Sequence, residues 1–419
     1  MALADVGASG NFNDALRVLY PIKKILAMAY NDCPLLGMIP KRTDFSGKQL
    51  DVPVWYGNPQ GISATYASAA TGKSSGKVDA FNLTRVNKYG LTSVQGETLD
   101  ASTQQGAIGS LTAMKMTIDG TLHSLTNSLC QDLYGAGGGA LGTVGSLSTV
   151  SLTLGNVEDV VNFETDMYVS ASAGDGTATT HTLRDSSATV AVTAVNRNTG
   201  VLTAGANWTA GISGITTGDY LFRAGDFQSV ISGLRAWVPD SDPGSTAFFG
   251  VNRSTDVVRL GGVRYTGTSD GSIEEALQKG LTRLAREGAM RRGGKISVFM
   301  NTADRHALSR SLGSKAIYEK TAPNGLAGRI GYATLTLHDF NVPVEVYADP
   351  FAPVGRALAL LLPSWSLATL GPAPKILAKD GLRILRETDD DAYEFRCGYR
   401  GNLLTHAPGY NLNMTLPTS

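Results

Sequence analysis

Apolar positions between residues 11 and 30 recur at steps of three and four, through Leu16, Leu19, Ile22 and Leu26. That spacing predicts a short amphipathic helix, which Pro21 kinks or restarts. Residues 33–40 carry a proline near each end and read as an extended connector. From residue 41 to 92 the period changes to two. Residues 51–56 and 81–86 alternate as strands do, and a Gly-, Ser- and Ala-rich tip over 61–76 joins them. A lone two-stranded excursion is only marginally stable in water, so this one is expected to rest on a neighbour.

The longest helical pattern covers about residues 100–134. Its apolar stripe is Ile108, Leu111, Met114, Ile118, Leu122, Leu125, Leu129 and Leu133. Ser102 with Gln105 forms a capping box and Gly135 a stop. At ~1.5 Å per residue such a helix is roughly 50 Å long, a spine and not a compact core element. Residues 140–226 then form an island of Ser, Thr, Ala, Val and Gly, with no lysine between Lys115 and Lys279. Short alternating runs with turn signals such as Asn198–Gly200 predict a small β-barrel or sandwich. Beyond an irregular segment after Phe227, a helix is expected over 272–291, capped by Ser272 and Glu275, with Ile273, Leu277, Leu281 and Leu284 inward. Strand 296–300, helix 302–312, a glycine-bearing loop over 313–331, and strands near 333–337, 342–347, 357–362, 382–387 and 393–404 complete the pattern. The class is α+β.

Composition narrows the function. The 419 residues are 42% hydrophobic, enough for a real core, and 36 basic side chains balance 36 acidic ones. A phosphate-gripping module would carry a basic excess. Cys33, Cys130 and Cys397 are widely spaced and odd in number, which reads as reduced thiols. Residues 1–10 show neither basic patch nor apolar run, so no signal peptide is expected. The apolar stretch 357–362 is too short to span a membrane.

Several motifs are spellings without context. Ala67-x4-Gly72-Lys73-Ser74 matches a loose phosphate loop, but polar alternating sequence flanks it where a buried strand and a helix are required. Gly137-x-Gly139-x-x-Gly142 follows a helix instead of a strand and reads as a flexible linker. Gly267-Thr-Ser269-Asp-Gly271 spells a nucleophile elbow, with His306, His338 and His406 downstream, but the preceding strand is weak and no oxyanion segment stands upstream. The five histidines show no ligand spacing, and Asp389–Asp391 reads as a solvated turn. No catalytic, cofactor or metal residue is expected, and a serine hydrolase using Ser269 is the minor alternative.

Three stretches carry a resemblance: "KISVFMNTADRHALSRSL" after the helix from Ser272, "LHDFNVPVEVYADPFAPVGRALALLLPSW" from Leu337, and "GLRILRETDDDAYEFRCGYRGNLLTHAPGY" from Gly381. In order, together with the arm, loop and spine before them, they resemble the major capsid proteins of tailed bacteriophages with the Hong Kong phage (HK97-like) fold. The likeness spans about 330 residues, everything outside the island. It implies an N-terminal arm (1–42), an extended loop (43–97), a peripheral-domain spine helix (98–139), an inserted β-domain (140–226), a connector and axial helix (227–294), an axial domain (295–371) and closing peripheral strands (372–419). It implies a non-enzymatic subunit that self-assembles as pentamers and hexamers into an icosahedral shell around packaged double-stranded DNA. The subunit would be made in a bacterial cytoplasm and located in the virion. Implied partners are other copies, a scaffolding protein, portal, a protease or decoration protein, and DNA held non-specifically; a near-neutral lining lets that DNA slide. An encapsulin-type compartment is the nearest rival. One relative cross-links a loop lysine to an asparagine. Here Arg396 stands where the asparagine would fall, so no such bond is expected although Lys73 and Lys77 lie on the loop. Interface candidates are Trp55, Tyr56, Tyr66, Lys73, Lys77, Tyr89, Arg383, Arg386, Glu387, Glu394 and Arg396.

Overall fold

The computed structural model describes residues 33–96, 109–292, 295–313, 335–337, 343–377, 384–388 and 390–417. The backbone divides into two compact units. One takes in Lys88–Asn127 and Ala373–Tyr399; the other takes in Asp32–Asn87, Ser128–Pro372 and Arg400–Ser419. The helix expected over 11–30, the first residues of the spine, most of the loop over 313–331, His338, Arg383 and Asp389 lie outside the described residues.

The larger unit begins with helix α1 (Pro34–Met38), where the proline spacing predicts an extended connector. Pro34 sits in the first turn, where its missing N–H costs nothing, and Leu35, Leu36 and Ile39 are buried. The core sheet has the order β11 (Val263–Thr266), β20 (Leu412–Thr415), β15 (Arg356–Leu361), β12 (Ile296–Met300), β14 (Val344–Ala348) and β13 (Leu335–Leu337). Every residue of β12 is buried, as a central strand covered on both faces requires. It runs parallel to β14 and antiparallel to β15, with Val298 opposite Val346 and Ala359. Helix α4 (Ile273–Arg286) covers the sheet through Ile273, Leu277, Leu281 and Leu284. Burial of each such side chain contributes roughly 1.5–3 kcal/mol. Ser272 Oγ accepts the Glu275 N–H at 3.2 Å, the cap that the sequence predicts, while the Glu275 carboxylate takes the Gly271 N–H. A Cβ at Gly280 would lie 2.0 Å from Met414 Cε, so α4 packs closely on β20 at this point.

Strand β1 (Lys41–Arg42) runs parallel to β16 (Trp365–Thr369), which pairs antiparallel with the second half of β19 (Ala392–Thr405) from Trp365↔Thr405 to Thr369↔Gly401. Fully buried Asn411 joins this ladder to the core sheet. Its Oδ1 accepts from Leu361 N–H at 2.9 Å and Trp365 Nε1–H at 2.7 Å, and its Nδ2 donates to the Ala407 carbonyl at 2.9 Å.

Residues 140–223 close into a barrel of β10 (Tyr220–Arg223), β5 (Ala140–Leu147), β6 (Ser151–Leu154), β9 (Val201–Ala204), β8 (Val190–Asn196) and β7 (Tyr168–Ser172). Closure leaves no free edge. Alternate residues of β6 and β9 point inward, around Trp208, Phe163, Leu202 and Leu221. Glycines 137–139 are not a loose linker. A Cβ on Gly138 would fall 2.0 Å from the Asp175 carbonyl, and one on Gly139 2.6 Å from that of Asp226. Gly137 and Gly139 also take φ of +88°, which glycine adopts without steric penalty. The neck of the barrel is therefore packed backbone against backbone.

Asp159 lines a cleft of about 260 Å³ beneath the barrel, with Tyr220, Arg235 and Phe351. Burial pushes its carboxyl from an ordinary 3.8 up to about 6, against partial relief from Arg235. The folded state thus keeps that proton to higher pH than the unfolded chain, and stability is lost as pH rises from about 4 through 6. A displacement of this size corresponds to about 3 kcal/mol once both states are ionised. Asp159→Asn is expected to exceed the parent in stability by about 2 kcal/mol at pH 8 and to match it near pH 4. Urea unfolding at the two pH values measures the difference.

In the smaller unit the first part of β19 is flanked by β17 (Lys375–Ile376) and β18 (Ile384–Arg386), with Ile376 opposite Cys397 and Ile384 opposite Phe395; β4 (Val86–Gln95) also pairs with β19. Helix α3 (Gly109–Tyr134) contributes its residues up to 127 here and the rest to the larger unit. Leu125 is buried in one, Leu129 and Leu133 in the other, so the predicted stripe serves both. A Cβ at Gly90 would meet Cys397 Sγ at 2.9 Å and Thr121 Cγ2 at 3.2 Å.

Candidate assembly interface

The two-stranded excursion is present: β2 (Gln49–Gly57) pairs antiparallel with β3 (Lys77–Thr84), from Gln49↔Thr84 to Gly57↔Lys77. Alternation gives it two different faces. Val52, Val54, Phe81 and Leu83 are buried on one, while Trp55 and Val78, directly opposite each other, are 68% and 62% exposed. At the tip, helix α2 (Tyr66–Thr71) is capped by Thr65, whose Oγ1 accepts from Ser68 N–H. Ile62 and Tyr66 there are 86% and 88% exposed.

The expectation that the excursion rests on a neighbour did not include an anchorage at its root. It is fastened to its own chain. The Phe81 ring lies 5.0 Å edge-on from Trp237 and 6.2 Å from Phe248. Trp237 is fully buried, and its Nε1–H donates to the Leu403 carbonyl at 3.0 Å. Residues 248–251 form a tight turn with reciprocal backbone bonds between Phe248 and Val251, and with positive φ at Phe249 (+48°) and Gly250 (+87°). A non-glycine residue in that region stores strain that its surroundings must offset. Phe249 packs on Phe248 and Trp237, and its carbonyl accepts the Asn82 N–H from the outer edge of β3 at 2.8 Å. Arg253 lies beneath, donating to the Ala236 and Trp237 carbonyls at 2.8 and 3.1 Å, with its guanidinium 4.0 Å from the Phe248 ring centre. Burial, together with the charge of Arg264, pushes it down to about 10. Arg259 donates to the Tyr56 carbonyl at 2.7 Å, and Asn402 Nδ2 to that of Thr84 at 3.0 Å. The root is thus held by its own chain, whereas Trp55, Ile62, Tyr66 and Val78 at the tip and on the outer face are exposed.

Each candidate among the described residues, which leave out Arg383, has a definite place. Tyr56 is half-buried beside an open groove of about 530 Å³, whose walls include Trp55, Arg259, Glu287, His406 and Tyr410. Burial and the charge of Arg42 hold His406 below its usual range. Lys73 and Lys77 are exposed at and below the tip. In the smaller unit, Tyr89 is 49% exposed beside exposed Leu91, and Glu387 is half-buried. Glu394 and Arg396, two residues apart on β19, hydrogen-bond each other, which holds the carboxyl below its usual range. Their charges are therefore already met within the chain. Arg386 faces Asp391 at 3.8 Å, both highly exposed, a pair of little energetic weight. Trp237, Phe249 and Arg253 were not legible as functional: they fall in the segment whose pattern is irregular, and their partners are distant in sequence.

The decoy motifs are explained structurally. Gly72 ends α2 instead of preceding a helix, and Ser74 Oγ accepts from Gln60 N–H. Ser269 is exposed on the turn before α4, and neighbouring Asp270 accepts from Tyr265 Oη–H and Lys279 Nζ, both at 2.7 Å. Among the described residues no helix is long and apolar enough to cross a membrane, and no group of His, Cys, Asp or Glu is arranged to hold a metal.

No protein-family model and no curated protein matches the sequence. Solved structures do match in fold. The chain is similar to the subunit of the cyanophage A-1(L) capsid asymmetric unit at 11% identity and a TM-score of 0.55, covering 96% of each chain. It also aligns with the capsid of a native GTA particle (10% identity, TM-score 0.46, 99% of this chain and 96% of that one). A protein of Mycobacterium phage Bobi aligns too (10% identity, TM-score 0.43, 99% and 100%). The assignment rests on the first: this α+β chain has the fold of a phage capsid subunit.

Proposed function

We propose that the chain is the major capsid protein of a tailed phage, assembling with copies of itself into an icosahedral shell of pentamers and hexamers around packaged double-stranded DNA. The observation that carries this reading is a fold shared with a cyanophage capsid subunit together with a hairpin firmly rooted in its own body but exposing Trp55, Ile62, Tyr66 and Val78 at its far end. Exposed large apolar groups grouped at one end of a rigid projection mark a protein-binding surface, and Trp and Tyr are the side chains that most often dominate such contacts. The free edges of the hairpin beyond its root offer strand addition as well.

On this reading residues 43–97 are the extended loop, 98–139 the spine, 295–371 the axial domain and 372–419 the closing peripheral strands, with 140–226 an inserted β-domain. That last segment holds eight Asp and Glu against Arg184, Arg197 and Arg223, a five-charge negative excess in a chain of zero net charge. A polyanionic interior would repel it, which favours the outer face. Scaffolding, portal and decoration proteins are further partners of such a shell. Expression of the chain alone or with a phage scaffold, followed by negative-stain microscopy and light scattering, tests the proposal. Shells, tubes or capsomer rings are expected; a dispersed monomer under all such conditions refutes it.

A further inference from the structure

Two patches of opposite charge lie in the larger unit, and its own chain leaves both of them bare. Between Val52 and Val78 the hairpin carries Lys73 and Lys77 and no acidic residue. Both lysines are exposed, in company with Trp55, Ile62, Tyr66 and Val78. The connection between β6 and β7 has the reverse character. Residues 157–168 hold Glu158, Asp159, Glu164 and Asp166 and no basic residue. Val160, Phe163 and Met167 turn into the barrel core, which leaves Val157, Glu158, Glu164, Asp166 and Tyr168 exposed outside it. Asp166 turns the chain at a φ of +63°, a region that aspartate enters more readily than most residues, and its N–H is held by the Val192 carbonyl at 2.8 Å. Arg197 meets Glu164 at 2.7 Å. Among the described residues no base pairs with Glu158 or Asp166, so two carboxylates on the barrel stand against two lysines on the hairpin.

We infer that the hairpin tip of one copy docks on the β6–β7 connection of a second copy, lysines against carboxylates and aromatic side chains against Val157 and Tyr168. The inference rests on the shell reading for the presence of a second copy, and it names the surface that receives the tip. Both patches are exposed in the single chain, so neither covers the other and the contact is between chains. The nine residues of β2, at ~3.3 Å each, carry the tip roughly 30 Å from its root. Exposed charge pairs add little affinity, but complementary charges set the register of a contact and exclude wrong partners. Burial of Trp55 and Tyr66 supplies the binding. Each copy offers both halves of the contact, which makes it heterologous. Successive copies then add in one sense and close into a ring where the rotation permits, as the subunits of the proposed capsomers must. DNA suits the tip less well, because two lysines neutralise few phosphates.

The test uses the full chain, half of it labelled with heavy nitrogen and mixed with unlabelled chain before association. A carbodiimide then joins touching amines and carboxylates. Digestion should yield peptides of mixed isotope that link Lys73 or Lys77 to residues 157–168. Lys73→Glu with Lys77→Glu should raise the concentration needed for association roughly tenfold, and Glu158→Lys with Glu164→Lys should do the same. All four changes together should bring it back towards the parent value. Circular dichroism checks that each variant is folded, as expected for exposed positions. Tip lysines linked only within one isotope, linked to acids elsewhere or not linked at all would overturn the docking. So would a fourfold variant no better than the double ones, which would give the tip lysines another partner. Links are read in any oligomer. Shells without them therefore sink this inference alone, links in oligomers that never form shells sink the shell reading alone, and a chain that stays monomeric throughout refutes both.

Discussion

Replacing Trp55 and Tyr66 together by aspartate should abolish particle formation while leaving a folded subunit. Both side chains are mostly solvent-exposed, at 68% and 88%, and neither belongs to the buried face of the hairpin. Substitutions at such positions usually change stability by only about 0.5 kcal/mol. The loss in association is far larger. An aromatic anchor at the centre of an interface contributes about 2 kcal/mol or more, and a carboxylate in its place must be desolvated without a partner. Two such changes weaken each contact by about a thousandfold, at about 1.4 kcal/mol per factor of ten. A shell repeats the contact at every subunit, so the assembly threshold moves beyond attainable concentrations. Sedimentation velocity and microscopy should show parent particles and variant monomers, with superimposable circular dichroism and melting within about 1 °C. Particles of parental yield from the double variant would remove the tip from the interface.

Local chemistry explains which elements were legible. The cap at Ser272 and the inward face of Ile273, Leu277, Leu281 and Leu284 lie within one short local stretch, Ser272 to Leu284, and the two-residue period of β6 and β9 shows directly which side chains point into the barrel. Burial set by distant sequence was not legible. Strand β20 has an unremarkable pattern, yet it lies between β11 and β15 because those strands expose backbone groups on both sides of it. Gly137–Gly139 have a linker's composition, and only the approach of the Asp175 and Asp226 carbonyls shows that they are packed. The interface candidates divide in the same way. Trp55 lies in one of the alternating strands and Tyr66 in the polar tip between them, whereas Glu394 and Arg396 drew attention as charges although they hydrogen-bond each other. The hairpin root is the largest gap, since Asn82 and Phe249 meet across 167 positions of chain.

That root carries the second large expectation. Trp237→Ala should destabilise the larger unit by about 3–5 kcal/mol, the usual cost of emptying a buried aromatic site. It removes edge contacts to Phe81 and Phe248 and leaves the Leu403 carbonyl without its indole donor. Trp237→Phe keeps a ring but loses the donor, so about 1–3 kcal/mol is expected from the unmet carbonyl. Urea unfolding should order the three proteins parent, phenylalanine, alanine. A second readout separates anchoring from mere stability. With the aromatic seat gone, the Asn82 amide and its neighbours on β3 should exchange with deuterium much faster than the β12 core, under conditions where the alanine variant is still folded. Assembly should weaken with it although Trp237 touches no partner surface, because a tip on a loosened stalk must be ordered again at every contact. A cost below about 1 kcal/mol, or unchanged protection of β3, would mean that the hairpin is held by its backbone bonds to Phe249 and Arg259 and not by the aromatic cluster.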